Sequence, residues 1–137
     1  MVCISSKGAY SLSAMLYLAR NSDRLVQIKE IAEGSNIPQN YLEQLLVLLK
    51  KEGFIESIRG AKGGYKIAMR AENVTVLQIL SAIENEMFSP DKYGLKSIVL
   101  TSFWEEASRQ IEDVFSVPLQ ELVDRTSRYS QTSMYYI

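Results

Sequence analysis

Apolar positions along the chain recur with helical spacing in its first fifty residues. Ser5 and Ser6 can cap a helix running to about Asn21, with Tyr10, Met15, Leu18 and Ala19 available for its buried side. A polar turn, Asn21 to Arg24, follows. Ile28, Ile31 and Ala32 then fall at i, i+3 and i+4, predicting a short second helix that ends at Gly34 as its C′ residue. Pro38 suits the first turn of a third helix, because its missing N–H has no partner there. Leu42, Leu45, Leu46 and Leu49 form that helix's apolar stripe, Gln39, Asn40, Glu43, Gln44 and Lys50 lie elsewhere on its surface, and Gly53 stops it.

The period then changes. Phe54 to Ile58 and Gly64 to Ala68 are strand-like and are joined by Arg59-Gly60-Ala61-Lys62-Gly63, which predicts a β-hairpin. Thr75 with Gln78 fits a capping box, Val74 with Ile79 fits a hydrophobic staple, and together they open a helix from Val76 to about Met87. Phe88 to Lys96 is a connection. Leu100, Phe103, Trp104, Ala107, Ile111, Val114 and Phe115 keep helical spacing over four turns, forming a wide aromatic stripe. Pro118 breaks the path before a short helix from Leu119 to about Arg128, and residues 129–137 form a polar, tyrosine-bearing tail. No repeat or low-complexity segment interrupts this order.

The fold class that follows is mainly α with a small β-hairpin: a winged helix-turn-helix in residues 1–87, connection and dimerisation helices in 88–128, and a tail in 129–137. In such a fold the third helix enters the major groove and the hairpin reaches phosphate or the minor groove. Gln39, Asn40, Glu43 and Gln44 sit in the first two turns of that helix. Their amides suit adenine, and a Glu can accept from cytosine N4. Arg59 and Lys62 occupy a glycine-rich loop that permits close approach to DNA, and a loop arginine suits a narrow minor groove.

Composition narrows the alternatives. The chain has 137 residues, 47% of them hydrophobic and 23% charged, the balance of one folded domain. No run of about 18 apolar residues and no leader pattern is present, so a cytoplasmic protein with no membrane partner is expected. One cysteine and no histidine exclude a disulfide framework, the usual zinc and iron-sulfur sites and a histidine-based catalytic triad, so no cofactor and no enzyme activity are expected. The net charge of -1 hides an asymmetry. Lys50, Lys51, Arg59, Lys62, Lys66 and Arg70 face Glu52 and Glu56 over residues 50–70, a local +4, whereas six acidic residues against Arg109 and Arg125 give -4 over residues 101–125. One end suits phosphates; the other suits solvent or protein.

Ser6-Lys7-Gly8-Ala9-Tyr10, Ile31-Ala32, Tyr41-Leu42-Glu43-Gln44-Leu45 and Ile58-Arg59-Gly60-Ala61-Lys62-Gly63-Gly64-Tyr65 appear in register over nearly the whole chain. In these blocks it resembles the bacterial winged-helix regulators that include IscR, NsrR and CymR. The resemblance implies double-stranded DNA as partner, with Gln39, Asn40, Tyr41, Glu43 and Gln44 facing it, Arg59 in the minor groove, and Ser6 and Lys7 near phosphates. It also implies a homodimer held by the helix from Leu100 to Phe115. Two departures stand out: Ala9 replaces an arginine common among relatives, and the segment from Phe88 to Lys96 lacks the three cysteines of the iron-sulfur branches. The cysteine-free pattern, ending Met134-Tyr135-Tyr136-Ile137, looks like the branch that represses cysteine and sulfur-assimilation genes. That likeness implies cysteine synthase as a partner, docked through Tyr136 and the Ile137 carboxylate; a tail packed on its own dimer or disordered is the competing reading.

Three further readings stay open from the residues. Cys3 is a redox-switch candidate, but reactivity needs exposure and a lowered pKa that no sequence displays, and an incidental cysteine is favoured. The stripe around Trp104 suits a core and dimer seam better than a ligand pocket. A winged-helix interaction module without DNA is the rival class, disfavoured by the basic segment and the polar third helix.

Overall fold

The computed structural model describes residues 4–84 and 96–133, with side chains to residue 130. Cys3, Tyr136, Ile137 and most of the expected Phe88–Lys96 connection lie outside the described residues.

Among the described residues six helices and a hairpin follow one another: α1 (Ser6–Arg20), α2 (Ile28–Ser35), α3 (Gln39–Lys51), β1 (Ile55–Ile58), β2 (Gly64–Ile67), a 3-10 turn at Ala71–Asn73, α4 (Val76–Ile83), α5 (Ile98–Phe115) and α6 (Leu119–Ser133). Ser5 caps α1 by accepting from the Gly8 N–H. The Leu42, Leu45, Leu46 and Leu49 stripe is buried as the period requires. Leu42, Leu46 and Leu49 meet Met15 and Leu18 of α1, Ile31 of α2 and Ile79 of α4 in one core. The Thr75–Gln78 capping box is complete, with both reciprocal hydrogen bonds made.

β1 and β2 pair antiparallel, with Ile55 opposite Ile67 and Ile58 opposite Gly64. A third segment joins them. Val26, between α1 and α2, donates to the Tyr65 carbonyl at 2.9 Å and accepts from the Tyr65 N–H at 2.7 Å. Gly64 is required by that approach, because a Cβ there would stand 2.7 Å from the Val26 carbonyl oxygen.

Four expected boundaries are corrected. Gly34 is not the C′ residue of α2: the helix runs to Ser35, and Asn36 takes the left-handed conformation at φ 54°. Gly34 is needed for another reason, since a Cβ there would overlap the Tyr17 ring. Pro38 precedes α3 as its N-cap residue rather than standing inside its first turn. α4 ends at Ile83 instead of near Met87, because Glu84 turns extended and carries its carboxylate back to Ser5. α6 continues past Arg128 to Ser133. Beyond its apolar residues it is supported by side-chain pairs along one face, Gln120 with Asp124 and Glu121 with Arg125.

α5 and α6 differ in their packing. Leu119 of α6 is fully buried, and Leu122 and Val123 pack on the same core. Backbone hydrogen bonds from Val76 to Val117 and from Leu119 to Val74 fasten the start of α6 to the start of α4. α6 therefore groups with the winged-helix body. α5 has no buried residue.

Candidate nucleic-acid interface

The buried leucines of α3 fix its roll about its own axis, and that roll decides which side chains face outward. Gln39, Asn40, Glu43 and Gln44 are exposed along the free face. Tyr41 is half-buried. Its ring meets Tyr10 of α1 edge-on, with centroids 5.6 Å apart and planes at 75°, so it braces α3 against α1 at the border of that face.

The wing stands beside α3. Lys50 near the end of α3 donates to Ser57 Oγ at 2.7 Å, linking the helix to β1. Gly60 carries the turn at φ 118°, a conformation that favours glycine, and Gly63 closes it by donating to the Gly60 carbonyl at 3.0 Å. Arg59 and Lys62 are both exposed there. Between α3 and the wing runs a groove of about 470 Å³, with Val47, Lys50, Ile58, Arg59 and Tyr65 in its walls.

The structure sorts the cations of the basic segment. Lys66 pairs with Glu56 across the hairpin at 3.6 Å, and Arg70 pairs with Glu72 at 3.5 Å. Lys51, Arg59 and Lys62 make no salt bridge among the described residues. The charge available to a polyanion is thus concentrated at the end of α3 and the wing tip, rather than spread over residues 50–70.

A second anion-facing element lies at the start of α1. Ser6 is exposed and Lys7 half-exposed, and the first turn holds no acidic residue of its own. A carboxylate nonetheless sits there: Glu84 accepts from the Ser5 N–H at 2.8 Å and from Ser5 Oγ at 2.7 Å. A helix N-terminus favours negative charge, and Glu84 supplies it from the far end of α4.

The α1–α2 junction is tied by Arg24, whose guanidinium donates twice to Glu30 at 2.9 and 2.6 Å, and by the Tyr17 hydroxyl, which donates to Glu30 at 2.7 Å. The Arg24 hydrogen bonds, then that of Tyr17, hold the Glu30 carboxyl below the usual carboxylate range. The hydrogen bond to Glu30 raises the Tyr17 hydroxyl above its ordinary value. This cluster holds α2 at a set angle to α1 and takes no place on the α3 face.

The expected dimerisation residues divide. Leu100, Phe103, Trp104 and Val114 are exposed at 46%, 58%, 40% and 70%. Ala107 and Ile111 are half-buried. Phe115 packs toward Val76 and Leu80, anchoring the foot of α5 to the body.

Two residues of this surface lie outside the expected set. Val47, 70% exposed, stands on the outer face of α3. Helical spacing from Asn40 and Gln44 was enough to place it there. Glu84 had no such local signal, since its partner lies 79 residues away.

Chemically the surface can hold phosphates and hydrogen-bond to base edges. Among the described residues no three His, Cys, Asp or Glu side chains form a metal-binding group. No helix among them is long and apolar enough to cross a membrane.

A family model, Rrf2, described as iron-dependent transcriptional regulator, matches residues 4–125. The chain is 29% identical to the HTH-type transcriptional regulator CymR of Bacillus subtilis over 136 residues, covering 98% of this chain and 99% of that one. It superposes on the structure of CymR, the global cysteine regulator of B. subtilis, with a TM-score of 0.84, covering 91% of this chain and 98% of that one. It superposes on T. potens IscR with a TM-score of 0.78 at 32% identity, covering 90% and 88%. Iron in the family description does not fit the donors of this chain: one cysteine and no histidine supply neither the thiolates of a cluster nor the imidazoles that replace them.

Proposed function

The chain belongs to the Rrf2 family of transcriptional regulators, and within it we propose a homodimeric repressor of cysteine and sulfur metabolism genes that binds a palindromic operator. It is a DNA-binding regulator of winged-helix build rather than an enzyme, as the family and the CymR and IscR relatives are. The observation that carries the reading of DNA is the adjacency of the exposed α3 face and the exposed wing cations Arg59 and Lys62, which form no salt bridge among the described residues, held in one frame by the Lys50–Ser57 and Val26–Tyr65 hydrogen bonds. A two-fold dimer presents two such units to half-sites about one helical turn, or a multiple of it, apart.

The cysteine assignment is supported by the likeness to CymR over nearly the full chain, together with the missing thiolate ligands. Tyr136 and Ile137 are the proposed docking residues for cysteine synthase.

Genomic pull-down sequencing with and without cysteine-pathway metabolites tests the main reading. The expected result is a motif with dyad symmetry upstream of sulfur-metabolism genes, released or retained according to the metabolite. A motif without a dyad, or targets in unrelated pathways, overturns it. Titration of cysteine synthase with the full chain and with a chain lacking Ile137 tests the docking: binding only by the full chain is expected, and equal binding or none overturns it.

A further inference from the structure

α3 carries an apolar side chain where the fold has no use for one. Leu42, Leu45, Leu46 and Leu49 are buried, whereas Val47 is 70% exposed and packs into no core. At 100° per residue, Asn40, Gln44, Val47 and Lys51 fall within an arc of about 60°, and Glu43 lies about 40° beyond it on the Val47 side, so that Val47 stands between Glu43 and the other polar residues. Val47 is therefore central to the polar face. It lies about 10 Å along the axis from Asn40, at 1.5 Å rise per residue.

The surroundings define what fits against it. Lys51 lies on one flank, and across the groove the wing presents Arg59, with Lys62 beyond it. An apolar protein surface laid here would have to desolvate these cations without partners, which is costly. Duplex DNA places its phosphates at the rims of the major groove, where the cations stand. On the groove floor it offers an apolar group at one base only, the C5-methyl of thymine.

We infer that Val47 is a specificity-determining residue that contacts a thymine methyl in each half-site. The inference rests on the DNA-reading function proposed above and adds apolar readout to the amide and carboxylate readout of Asn40, Glu43 and Gln44. Replacing the valine removes a contact with one base and leaves the phosphate contacts in place.

The test begins with duplexes selected by the wild-type protein from a random pool. Each thymine of the selected operator is then replaced, one at a time, by deoxyuridine, which deletes only the methyl group. Binding is measured by fluorescence anisotropy for wild type, Val47→Ala and Val47→Ser. At one thymine per half-site, uracil is expected to weaken wild-type binding about fourfold, the transfer value of one buried methyl-sized group. Val47→Ala and Val47→Ser are expected to lose that discrimination at that position alone while keeping the circular dichroism of the wild type. A selected operator whose uracil scan is the same for wild type and both variants overturns this inference and leaves the DNA-reading function standing. A wild-type protein that selects no sequence overturns both.

Discussion

Glu84 and Ser5, 79 residues apart, are joined by two hydrogen bonds to a single carboxylate oxygen: Glu84 Oε1 accepts from the Ser5 N–H at 2.8 Å and from Ser5 Oγ at 2.7 Å. The same Oγ accepts from the Gly8 N–H at 3.3 Å, so the end of α4 and the cap of α1 form one hydrogen-bonded unit. Gly8 belongs to it as well, since a Cβ there would overlap the Glu84 carboxylate. Glu84→Ala removes a charged acceptor and the negative charge at the α1 N-terminus. It is expected to cost about 1 kcal/mol, or a fall of about 3 °C in Tm, measurable by thermal unfolding. Because Ser6 and Lys7 follow directly, operator binding should weaken in the same variant. Unchanged Tm and affinity would show that the contact holds nothing.

Arg59 and Lys62 share the wing tip but should fail differently when truncated. Arg59→Ala is expected to cost about 1–3 kcal/mol of operator affinity and to relax sequence preference, as loss of a minor-groove contact does. Lys62→Ala should weaken all duplexes alike and lower the slope of log K against log salt by about 1 per site. Titrations at several salt concentrations, with operator and scrambled DNA, separate the two outcomes. Arg59→Ala binding the operator as tightly as wild type would remove the wing from the interface.

Gly64 is where the wing is fastened to the body. Its φ of 154° and the Val26 carbonyl beside it both oppose a side chain. Gly64→Ala must push Val26 and Tyr65 apart, breaking their paired hydrogen bonds. The expected loss is about 1–3 kcal/mol in urea unfolding, with the wing amides losing hydrogen-exchange protection before those of α1. Wing protection in Gly64→Ala equal to that of the wild type would place the wing's anchor elsewhere.

Legibility in the sequence followed the range of each interaction. The α3 leucines and the Thr75–Gln78 box depend on spacings of three or four residues, and the structure has them as the pattern predicts. Gly34 was misleading because a glycine at a helix end serves either handedness or close packing, and only the position of the Tyr17 ring distinguishes them. The end of α4 was placed too late, at about Met87, because Glu84 leaves the helix for a contact with Ser5 and no local stop signal marks that point. Val26 lacks a strand pattern of its own; its pairing with Tyr65 is set wholly by the fold. On the candidate surface, the α3 face and the wing glycines were readable, whereas the pairing of Lys66 with Glu56 and of Arg70 with Glu72, which moves the free charge to the wing tip, was not.

The Arg24–Glu30–Tyr17 cluster gives the fold an acid-side pH dependence. Glu30 is held below its ordinary value in the folded protein, first by the Arg24 hydrogen bonds. Its contribution is complete above the unfolded value of about 4.3 and is lost as pH falls through the lower folded value. The raised Tyr17 hydroxyl works in the opposite direction: its contribution is present below about pH 10 and is lost as pH rises through the folded value. Urea unfolding of wild type and Glu30→Gln should therefore differ at pH 7 and converge toward pH 3. The difference is expected to be small, because both partners of the ion pair are about half exposed. A constant difference across that range would assign the effect to something other than ionisation.

Dimerisation through α5 is the prediction with the largest expected effect. Phe103 and Trp104 meet edge-on at 5.6 Å and 64°, yet both remain exposed, as do Ile98 at 86% and Val99 at 77%. An 18-residue helix with this apolar surface and no buried residue of its own needs a cover, and a second copy offers the same surface by two-fold symmetry. Phe103→Glu places a charge in the middle of the proposed seam. In a dimer it leaves two unpaired carboxylates desolvated, which costs several kcal/mol and should yield monomers at micromolar concentration in sedimentation experiments. The body should stay folded, because Phe103 contributes nothing to its core, and circular dichroism checks this. Operator affinity should fall by orders of magnitude as one recognition unit replaces two, while affinity for a single half-site changes little. A Phe103→Glu protein that still sediments as a dimer, or a wild type that is monomeric at the same concentration, would remove α5 from the seam.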